Sequence, residues 1–328
     1  MKMNTILVTG GAGFIGSHLI EKLLYCGKNI IAIDNFNDYY DPKAKEKNLM
    51  EIKSNMKRLG IDKGRFKLYR QDIRNKTEIN RIFKEHKIDI IIHLAAMAGV
   101  RYSILAPDLY YDVNVNGTLN LLEAAKENKI DKFIFASSSS VYGNNKKIPF
   151  NENDSVDCPI SPYAASKKAG ELLCYTYYHL HKISIACLRF FTVYGPRQRP
   201  DLAIHKFAKC IMEGKKIPFF GDGDTQRDYT YIDDIIDGII KTMVWMKKNK
   251  RQYEIFNLGN SRTIFLNQMV KTLEEVLNKK ALLEKLPSQP GDMGKTYADI
   301  IKAKTILGYA PKKDFKEGVE DFVKWMKK

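Results

Sequence analysis

The segment "TILVTGGAGFIGSHLIEKLLYCG" (residues 5–27) constrains the fold more than any other part of the chain. An apolar, β-branched run leads directly into glycines at positions 10, 11, 13 and 16, and these glycines open a segment with helical periodicity. A strand that turns at glycines into a helix is typical of dinucleotide-binding sheets. The glycines allow a tight turn and let a pyrophosphate approach the free amides of the helix N-terminus. This segment therefore predicts a dinucleotide site.

The alternation of segments along the first half of the chain predicts a parallel sheet with helices on both faces. Short apolar runs that read as strands lie at 5–9, 29–34, 65–69, 89–95, 132–137 and 184–190. Segments with helical periodicity lie near 14–26, 76–86, 108–127 and 162–180, and residues 37–64 read as a polar, partly helical insertion. We therefore expect an α/β fold, a doubly wound parallel sheet of the Rossmann type with a smaller C-terminal substrate-binding lobe.

The expected division of the chain follows from where this alternation loosens. Residues 1–190 are expected to form the dinucleotide-binding domain, and residues 191–328 mainly the second lobe. A helix near 233–247 and the apolar run 253–259 are expected to return to the sheet, so that residues 231–260 belong to the first domain.

Acidic and small residues at the ends of the predicted strands indicate which dinucleotide is bound. Asp34 ends the second strand, where a carboxylate can accept hydrogen bonds from both adenosine ribose hydroxyls and would repel a 2′-phosphate. The sequence therefore predicts NAD rather than NADP. The residues expected to contact NAD are Gly10, Gly13, Phe14, Ile15 and Gly16 in the loop, Asp34, Asp72 and Ile73 after the second and third strands, and Ala95 and Ala96 after the fourth.

Composition narrows the classes of partner. The formal charge is +16, but the lysines are scattered in pairs with no basic block, which is typical of a solvated surface rather than a nucleic-acid-binding arm. The five cysteines are odd in number and lack a C-x-x-C spacing, so we expect a reduced, cytoplasmic setting and no metal site. No run of about 18 apolar residues occurs, so neither secretion nor membrane spanning is expected.

The stretch "SPYAASKKAG" (161–170) places a tyrosine and a lysine on one face of a predicted helix. Alone, Tyr163 and Lys167 would also fit an ordinary surface helix. Upstream, however, "FIFASSSSVYG" ends a predicted strand in four serines at the sheet edge where ligands bind in such folds. With the glycine loop, this set resembles the short-chain dehydrogenase/reductase superfamily, most strongly its extended branch of nucleotide-sugar epimerases and dehydratases.

That resemblance implies a catalytic trio of Ser138, Tyr163 and Lys167, with Tyr163 and Lys167 also contacting NAD. Ser138 is chosen because it lies three residues before Val141, in register with the pattern S/T-x-x-V-Y-G. A free tyrosine has a pKa of about 10, so a phenolate base near neutral pH needs a shift of about three units, or about 4 kcal/mol. Lys167 and the positive nicotinamide ring are expected to supply it.

The residues after Ser138 favour one reaction of this branch over others. Dehydratases resemble T-D-E-V-Y-G at this point, because elimination of water needs an acid pair, and sugar-acid decarboxylases commonly carry a Glu there. This chain has Ser139 and Ser140 instead, which favours epimerisation. The stretches "DNFNDYYDPKAKEKNL" and "HLAAMAGVRYSILAPDLYYDVNVNGTLNLLE" are similar to UDP-glucuronate 4-epimerases of capsule and polysaccharide pathways, and this likeness runs along nearly the whole chain.

The narrower resemblance implies an NAD-dependent isomerase that interconverts UDP-glucuronate and UDP-galacturonate through a 4-keto sugar. It also implies a homodimer formed by the helices near 108–127 and 162–180. Arg199 is expected near the sugar carboxylate, Arg227 at phosphate and Asp292 at the uridine ribose. The implied substrate contacts are Ser138, Ser139, Thr192, Arg199, Arg227 and Asp292.

Two alternatives stay open at this point. Arg197-Gln198 stands where many relatives carry an aromatic-Gly pair, so a 4-epimerase of another UDP-sugar, such as UDP-glucose or its N-acetylated relative, is the nearest one. The other is a non-catalytic protein that senses NAD or binds nucleic acid through the same fold. A sensor has no need of a base, so the Ser-Tyr-Lys set argues against it.

Overall fold

The computed structural model describes residues 4–249, 251–287 and 294–328. The strands, in chain order, are β1 (Thr5–Thr9), β2 (Asn29–Ile33), β3 (Phe66–Tyr69), β4 (Ile90–His93), β5 (Lys132–Ser138), β6 (Ser184–Phe190), β7 (Thr192–Tyr194), β8 (Lys216–Phe220), β9 (Gln226–Arg227), β10 (Tyr229–Tyr231), β11 (Tyr253–Leu258), β12 (Ile264–Phe265) and β13 (Leu282–Leu286).

The α-helices complete the fold, together with 3₁₀ turns at Lys63–Arg65 and Ser139–Tyr142. In chain order they are α1 (Phe14–Tyr25), α2 (Lys43–Arg58), α3 (Lys76–Glu85), α4 (Val100–Leu105), α5 (Pro107–Tyr111), α6 (Gly117–Glu127), α7 (Pro162–His181), α8 (Ala203–Glu213), α9 (Ile232–Lys248), α10 (Leu266–Leu277), α11 (Ile301–Leu307) and α12 (Phe315–Met326). Along the part of the chain that the structure describes, none of these helices is long and apolar enough to cross a membrane.

The central sheet has, within the described residues, seven strands in the order β11-β6-β5-β4-β1-β2-β3. Every neighbouring pair in it is parallel. The order reverses between β1 and β4, which makes that point the crevice where open α/β sheets bind ligands. The predicted doubly wound parallel sheet is therefore confirmed, and β11 joins it at the edge beside β6.

Burial on both faces explains why the strands read as continuous apolar runs. Ile6 and Val8 of β1 pack into one hydrophobic cluster, while Leu7 between them packs into the cluster on the other face. All three side chains are fully buried. Because the strands are parallel, their carboxyl ends all lie at the same edge of the sheet, and helices cover the sheet.

The insertion at 37–64 contains α2, which packs against α1. Its buried residues include Leu49, Ile52 and Met56, and their spacing is that of an amphipathic helix face. Lys45 lies on the same face, one turn earlier, and is also buried. The insertion therefore brings a lysine toward the carboxyl edge of the sheet.

The predicted continuous helix at 108–127 is divided. Residues Asp112–Asn116 form a π-helical turn between α5 and α6. A π-helical turn inside a helix inserts an extra residue and is frequent at functional sites. Periodicity alone predicted the helical segment but not this interruption.

The strands after β6 other than β11 form short two-stranded pairs beside the carboxyl edge of the main sheet. β7 pairs with β10, β9 with β12, and β8 with β13. Residues of this part of the chain, among them Thr192, Arg199 and Arg227, reach the carboxyl ends of the central strands.

Candidate active site

A cleft of about 460 Å³ opens at the carboxyl ends of the central strands. Every described residue that the sequence nominated lines it: Gly10, Gly13, Phe14, Ile15, Gly16, Asp34, Asp72, Ile73, Ala95, Ala96, Ser138, Ser139, Tyr163, Lys167, Thr192, Arg199 and Arg227. The remaining nominated residue, Asp292, lies outside the described residues. The structure thus brings together residues spread over more than two hundred positions of the sequence.

The glycine loop forms the floor of one half of this cleft. Gly10 has a φ of +69°, and a Cβ there would lie 2.9 Å from the Ala95 backbone nitrogen. A Cβ at Gly16 would lie 2.1 Å from the Gly10 carbonyl oxygen. Within the described chain no side chain caps the start of α1 at Gly13, so the helix amides face the cleft. This cradle fits the pyrophosphate of a dinucleotide.

Asp34 lies at the end of β2 and is buried. Its carboxylate accepts hydrogen bonds from the backbone nitrogens of Ala12, at 3.1 Å, and Phe36, at 2.9 Å. Lys45 of α2 approaches the same carboxylate at 3.3 Å. Sequence reasoning missed Lys45, although a lysine in the apolar stripe of an amphipathic helix was a usable signal.

The trio of Ser138, Tyr163 and Lys167 is assembled from two elements. Ser138 ends β5, and its hydroxyl accepts a 3.1 Å hydrogen bond from the backbone nitrogen of Ser140, which fixes the strand end. Tyr163 and Lys167 lie on the first turns of α7, whose N-terminus is capped by the Ser161 hydroxyl. The predicted cap and the shared helix face are both present.

Burial dominates the electrostatics of this trio. It lowers the pKa of Lys167 from 10.5 to about 8, against the opposing effects of Cys174 and Glu171. Burial also raises the pKa of Tyr163, while an interaction with the Ser138 hydroxyl and the charge of Arg199 lower it. Burial within the protein therefore disfavours the Tyr163 phenolate.

The two nominated arginines enter the cleft from the second half of the chain. Arg199 makes a bidentate ion pair with Asp201, at 3.0 and 2.7 Å, and its guanidinium lies over the Tyr39 ring at 5.4 Å. Arg227 on β9 donates a 3.0 Å hydrogen bond to the Gln226 carbonyl oxygen. Thr192 at the start of β7 lies between Lys167 and Arg199 in sequence and lines the same cleft.

Arg197 and Gln198 face away from this cleft. The Arg197 guanidinium bonds to Glu51 of α2 at 2.7 Å and to Glu21 of α1 at 3.0 Å. Gln198 donates to the Val193 carbonyl oxygen at 3.2 Å. This pair of residues therefore anchors the loop that carries Arg199.

Asn114 is a second residue that sequence reasoning missed. It lies in the π-helical turn, is almost fully buried, and exchanges hydrogen bonds of 2.8 and 2.9 Å with the backbone of Met97. Its side-chain nitrogen also donates to Ser166 of α7 at 2.9 Å. Asn114 thus ties the loop after β4 to the helix that carries Tyr163, and no sequence periodicity indicates this role.

Comparison with known proteins agrees with this geometry. The chain is 45% identical over 326 residues to a UDP-glucuronate 4-epimerase of Thermodesulfobacterium geofontis, covering 99% of this chain and 97% of that protein. A crystal structure of UDP-glucuronic acid 4-epimerase from Bacillus cereus, in complex with UDP-glucuronic acid and NAD, superposes with a TM-score of 0.88 at 39% identity, covering 98% and 99% of the two chains.

A crystal structure of UDP-glucose 4-epimerase from Thermotoga maritima with UDP-glucose is similar too, with a TM-score of 0.87 and 33% identity over 98% of both chains. The model of the GDP-mannose 4,6 dehydratase family matches residues 7–322. That match includes the glycine loop, the serine run and the Tyr-Lys helix. The chain belongs to the GDP-mannose 4,6 dehydratase family.

Proposed function

We propose that this protein is an NAD-dependent isomerase that interconverts UDP-glucuronate and UDP-galacturonate through a 4-keto sugar. The observation that carries the proposal is the convergence of Ser138, Tyr163 and Lys167 with the glycine loop in one cleft. The similarity to UDP-glucuronate 4-epimerases over nearly the full chain supports it.

NAD fits the first half of the cleft by the chemistry of the groups that line it. The amides at Gly13 suit the pyrophosphate, and the Asp34 carboxylate suits the ribose hydroxyls. The same half of the cleft is also lined by Asp72, Ile73, Ala95 and Ala96. NAD, when bound, takes a hydride from C4 of the sugar and returns it, and its positive ring favours an ionised phenol.

Tyr163 is the base that removes the proton of the sugar 4-hydroxyl and later returns it. Ser138 orients that hydroxyl, because its own hydroxyl lies at the end of β5 and interacts with the Tyr163 phenol. Lys167 lies one helical turn from the base on α7, and the charge of Arg199 lowers the pKa of Tyr163. The interaction with the Ser138 hydroxyl and the charge of Arg199 offset part of the burial effect that raises the pKa of Tyr163.

The second half of the cleft suits an anionic nucleotide sugar. Arg199 is proposed at the sugar carboxylate and Arg227 at phosphate, since a guanidinium makes paired hydrogen bonds with both groups. Ser139 and Thr192 are proposed as further contacts of the sugar. Asp292 remains proposed for the uridine ribose.

Epimerisation is proposed rather than dehydration, although the family model is named after a dehydratase. Elimination of water needs an acid beside the base, and the residues that follow Ser138 are Ser139 and Ser140. Neither hydroxyl is acidic enough for that task.

A 4-epimerase of UDP-glucose is the second candidate, because the Thermotoga maritima enzyme has nearly the same fold. The decisive difference is the group at C5 of the sugar, a carboxylate in one case and a hydroxymethyl in the other. Arg199, which lines the cleft, favours the carboxylate. Faster turnover of UDP-glucose than of UDP-glucuronate would reverse the assignment.

The direct test follows the sugar by NMR. Purified protein is incubated with UDP-glucuronate, and NAD is added only if none copurifies. UDP-galacturonate should appear with its carboxylate retained, and no net NADH should accumulate. Stoichiometric NADH, release of carbon dioxide, or salt-dependent nucleic-acid binding without turnover would each contradict the proposal.

A homodimer is proposed as the working assembly. Large apolar side chains are exposed on α5, α6 and α7, among them Tyr111, Leu119, Leu172, Tyr175 and Leu180. Such a surface suits a helical interface between two copies.

The division into an NAD-binding domain at 1–190, with 231–260, and a sugar-binding lobe at 191–328 stays a prediction. A cytoplasmic location also stays a prediction.

A further inference from the structure

A buried ion pair lies directly behind the catalytic trio. Glu171 of α7 accepts hydrogen bonds from Arg189 of β6 through both carboxylate oxygens, each at 2.9 Å. Both side chains are almost completely excluded from solvent. The Ser137 hydroxyl donates a third hydrogen bond to Glu171, at 2.6 Å. None of these roles was visible in the sequence motifs.

The pair belongs to a set of contacts that pins the end of β5 to α7. Lys167 donates a 2.7 Å hydrogen bond to the carbonyl oxygen of Ala136. The next residue, Ser137, bonds to Glu171, and the one after it, Ser138, interacts with Tyr163. Three consecutive strand residues thus meet three helix residues spaced four apart, so a shift of one contact displaces the other two.

Stability alone is a weak reason to keep this pair. Well-packed apolar residues of similar volume commonly replace a buried ion pair without loss. The Nη1 atom of Arg189 is buried without a hydrogen-bond partner among the described residues, which adds to the free-energy cost of burying the guanidinium. The Tyr142 ring lies over the guanidinium at 4.8 Å and compensates only part of it. Retaining both charges therefore calls for a role besides packing.

Glu171 lies one helical turn from Lys167 on α7. Burial lowers the pKa of Lys167, while Cys174 and Glu171 raise it. Arg189 provides the buried Glu171 carboxylate with a counter-charge at 2.9 Å. Other titratable groups around Lys167 and Glu171 are His93 on β4, Tyr142, Tyr163, Cys174, Cys187 on β6 and Tyr253 on β11.

Burial moves the pKa values of several of these neighbours away from neutrality. It lowers the pKa of His93 to about 3 and raises those of Tyr142, Cys174 and Tyr253. The pKa of Lys167, lowered by burial to about 8, lies between pH 6 and 9, so the charge of Lys167 changes in that range.

We propose that Glu171 and Arg189 are positioning residues of the epimerase reaction, which set the register of Ser138 against Tyr163 and place a carboxylate one helical turn from the Lys167 ammonium. This inference rests on the proposed function. It assigns neither residue a contact with substrate or NAD.

The test removes both charges together. Glu171→Gln alone leaves Arg189 buried without a counter-charge, so this variant is expected to unfold at lower temperature or not to fold. The double variant Glu171→Gln/Arg189→Met keeps similar volumes and no buried charge, and its melting temperature should return toward that of the wild type. The control is Glu254→Gln/Lys302→Met, which neutralises a 2.6 Å ion pair between β11 and α11.

The double variant should bind NAD and UDP-sugar with near wild-type KM, while kcat falls by about 10- to 100-fold. In the profile of kcat against pH, the acid limb of the double variant should move to higher pH. The reason is that Lys167 carries less positive charge in this variant and so stabilises the Tyr163 phenolate more weakly. The control pair should change neither quantity. A folded double variant with wild-type kcat and pH profile would overturn the proposal and leave the pair a purely structural feature.

A second readout separates this inference from the proposed reaction. The Lys167 side-chain carbon signals, followed by NMR against pH in NAD-free protein, should titrate near pH 8 in the wild type and at lower pH in the double variant. If that shift occurs but no UDP-sugar is turned over by the wild type, the proposed function fails and the effect of Glu171 on Lys167 stands. An unchanged titration contradicts the positioning role whatever the substrate is.

Discussion

The ammonium group of Lys167 donates a hydrogen bond of 2.7 Å to the backbone carbonyl oxygen of Ala136, two residues before Ser138. This contact places a cation inside the protein, over the Phe135 ring at 5.1 Å and almost without solvent. Burial is what lowers the pKa of Lys167 to about 8. Lys167 in this site therefore loses its positive charge near pH 8, well below the pKa of a free lysine.

That burial predicts a pH-dependent stability difference between the wild type and Lys167→Met. The unfolded chain binds the lysine proton more tightly than the folded protein, so burial costs the wild type about 3 kcal/mol below pH 8, and less as pH rises toward 10. Relative to the variant, the wild type should gain about 2 kcal/mol of unfolding free energy between pH 7 and 9.5. Urea denaturation of NAD-free proteins measures this, and a difference independent of pH would contradict it.

Tyr163→Phe should abolish most turnover while leaving NAD bound. Removing the phenol removes the base, which is worth about 10²- to 10⁴-fold in kcat. The matched control is Tyr177→Phe on the same helix, whose hydroxyl bonds to Glu123 away from the cleft. Turnover followed by NMR and bound NAD measured after gel filtration should separate the two variants. Unchanged activity in Tyr163→Phe would remove it from the mechanism.

The fold and most of the cleft could be predicted from local patterns. Strand β1 and strand β6 have the predicted ends, because strands buried on both faces read as uninterrupted apolar runs. Helix α7 begins at Pro162 as the Ser-Pro cap indicated. The glycine loop and the residues at the strand ends meet in the cleft because parallel strands all end at one edge.

What the sequence could not provide are contacts between distant segments that carry no motif. Lys45 reaches Asp34 only through the path of the insertion, and Glu171 meets Arg189 only because α7 packs behind β6. The π-helical turn at Asp112–Asn116 contains Asn114, which makes hydrogen bonds with Met97 and Ser166 from other segments. Each of these features is set by tertiary packing, which local periodicity does not encode.

The Asp34–Lys45 contact predicts how dinucleotide preference can be changed. Asp34→Asn removes the charge that repels a 2′-phosphate, while the Lys45 ammonium, 3.3 Å from the carboxylate, remains to attract it. The ratio of NADP to NAD affinity should rise by at least about tenfold, or about 1.4 kcal/mol. Adding Lys45→Met should cancel most of the gain. Calorimetric titration of both dinucleotides tests this, and a ratio unaffected by Asp34→Asn would contradict the assignment.

The exposed apolar face of α7 predicts a disruptible dimer. Leu172 is 57% exposed there, and Leu172→Glu would bury a charge in a helical interface. Sedimentation should show the wild type as a dimer and this variant as a monomer at micromolar concentration. Leu282→Glu on β13, where the leucine is 53% exposed, is the matched control and should stay dimeric. A monomeric wild type would end the dimer proposal.

Arg197, in the loop that carries Arg199, combines a strained backbone with two ion pairs. Two substitutions at this position can separate the energetic effects of the strain and of the ion pairs. Its φ of +62° is unfavourable for a residue with a Cβ, by about 1 kcal/mol. Its guanidinium offsets this strain by bonding to Glu51 at 2.7 Å and Glu21 at 3.0 Å. Arg197→Gly loses the ion pairs but relieves the strain, whereas Arg197→Ala loses the pairs and keeps it.

The glycine variant should therefore be more stable than the alanine variant by about 1 kcal/mol, and both should be less stable than the wild type. Because Arg199 follows two residues later, a freer loop should raise KM for the UDP-sugar in both variants and change kcat much less. Urea denaturation and steady-state kinetics give the two quantities. If the two variants were equally stable, the backbone at residue 197 would leave its strained conformation once the ion pairs are lost, and the strain argument would fail. If KM for the UDP-sugar did not change, the Arg197 ion pairs would not be needed to hold Arg199 in place.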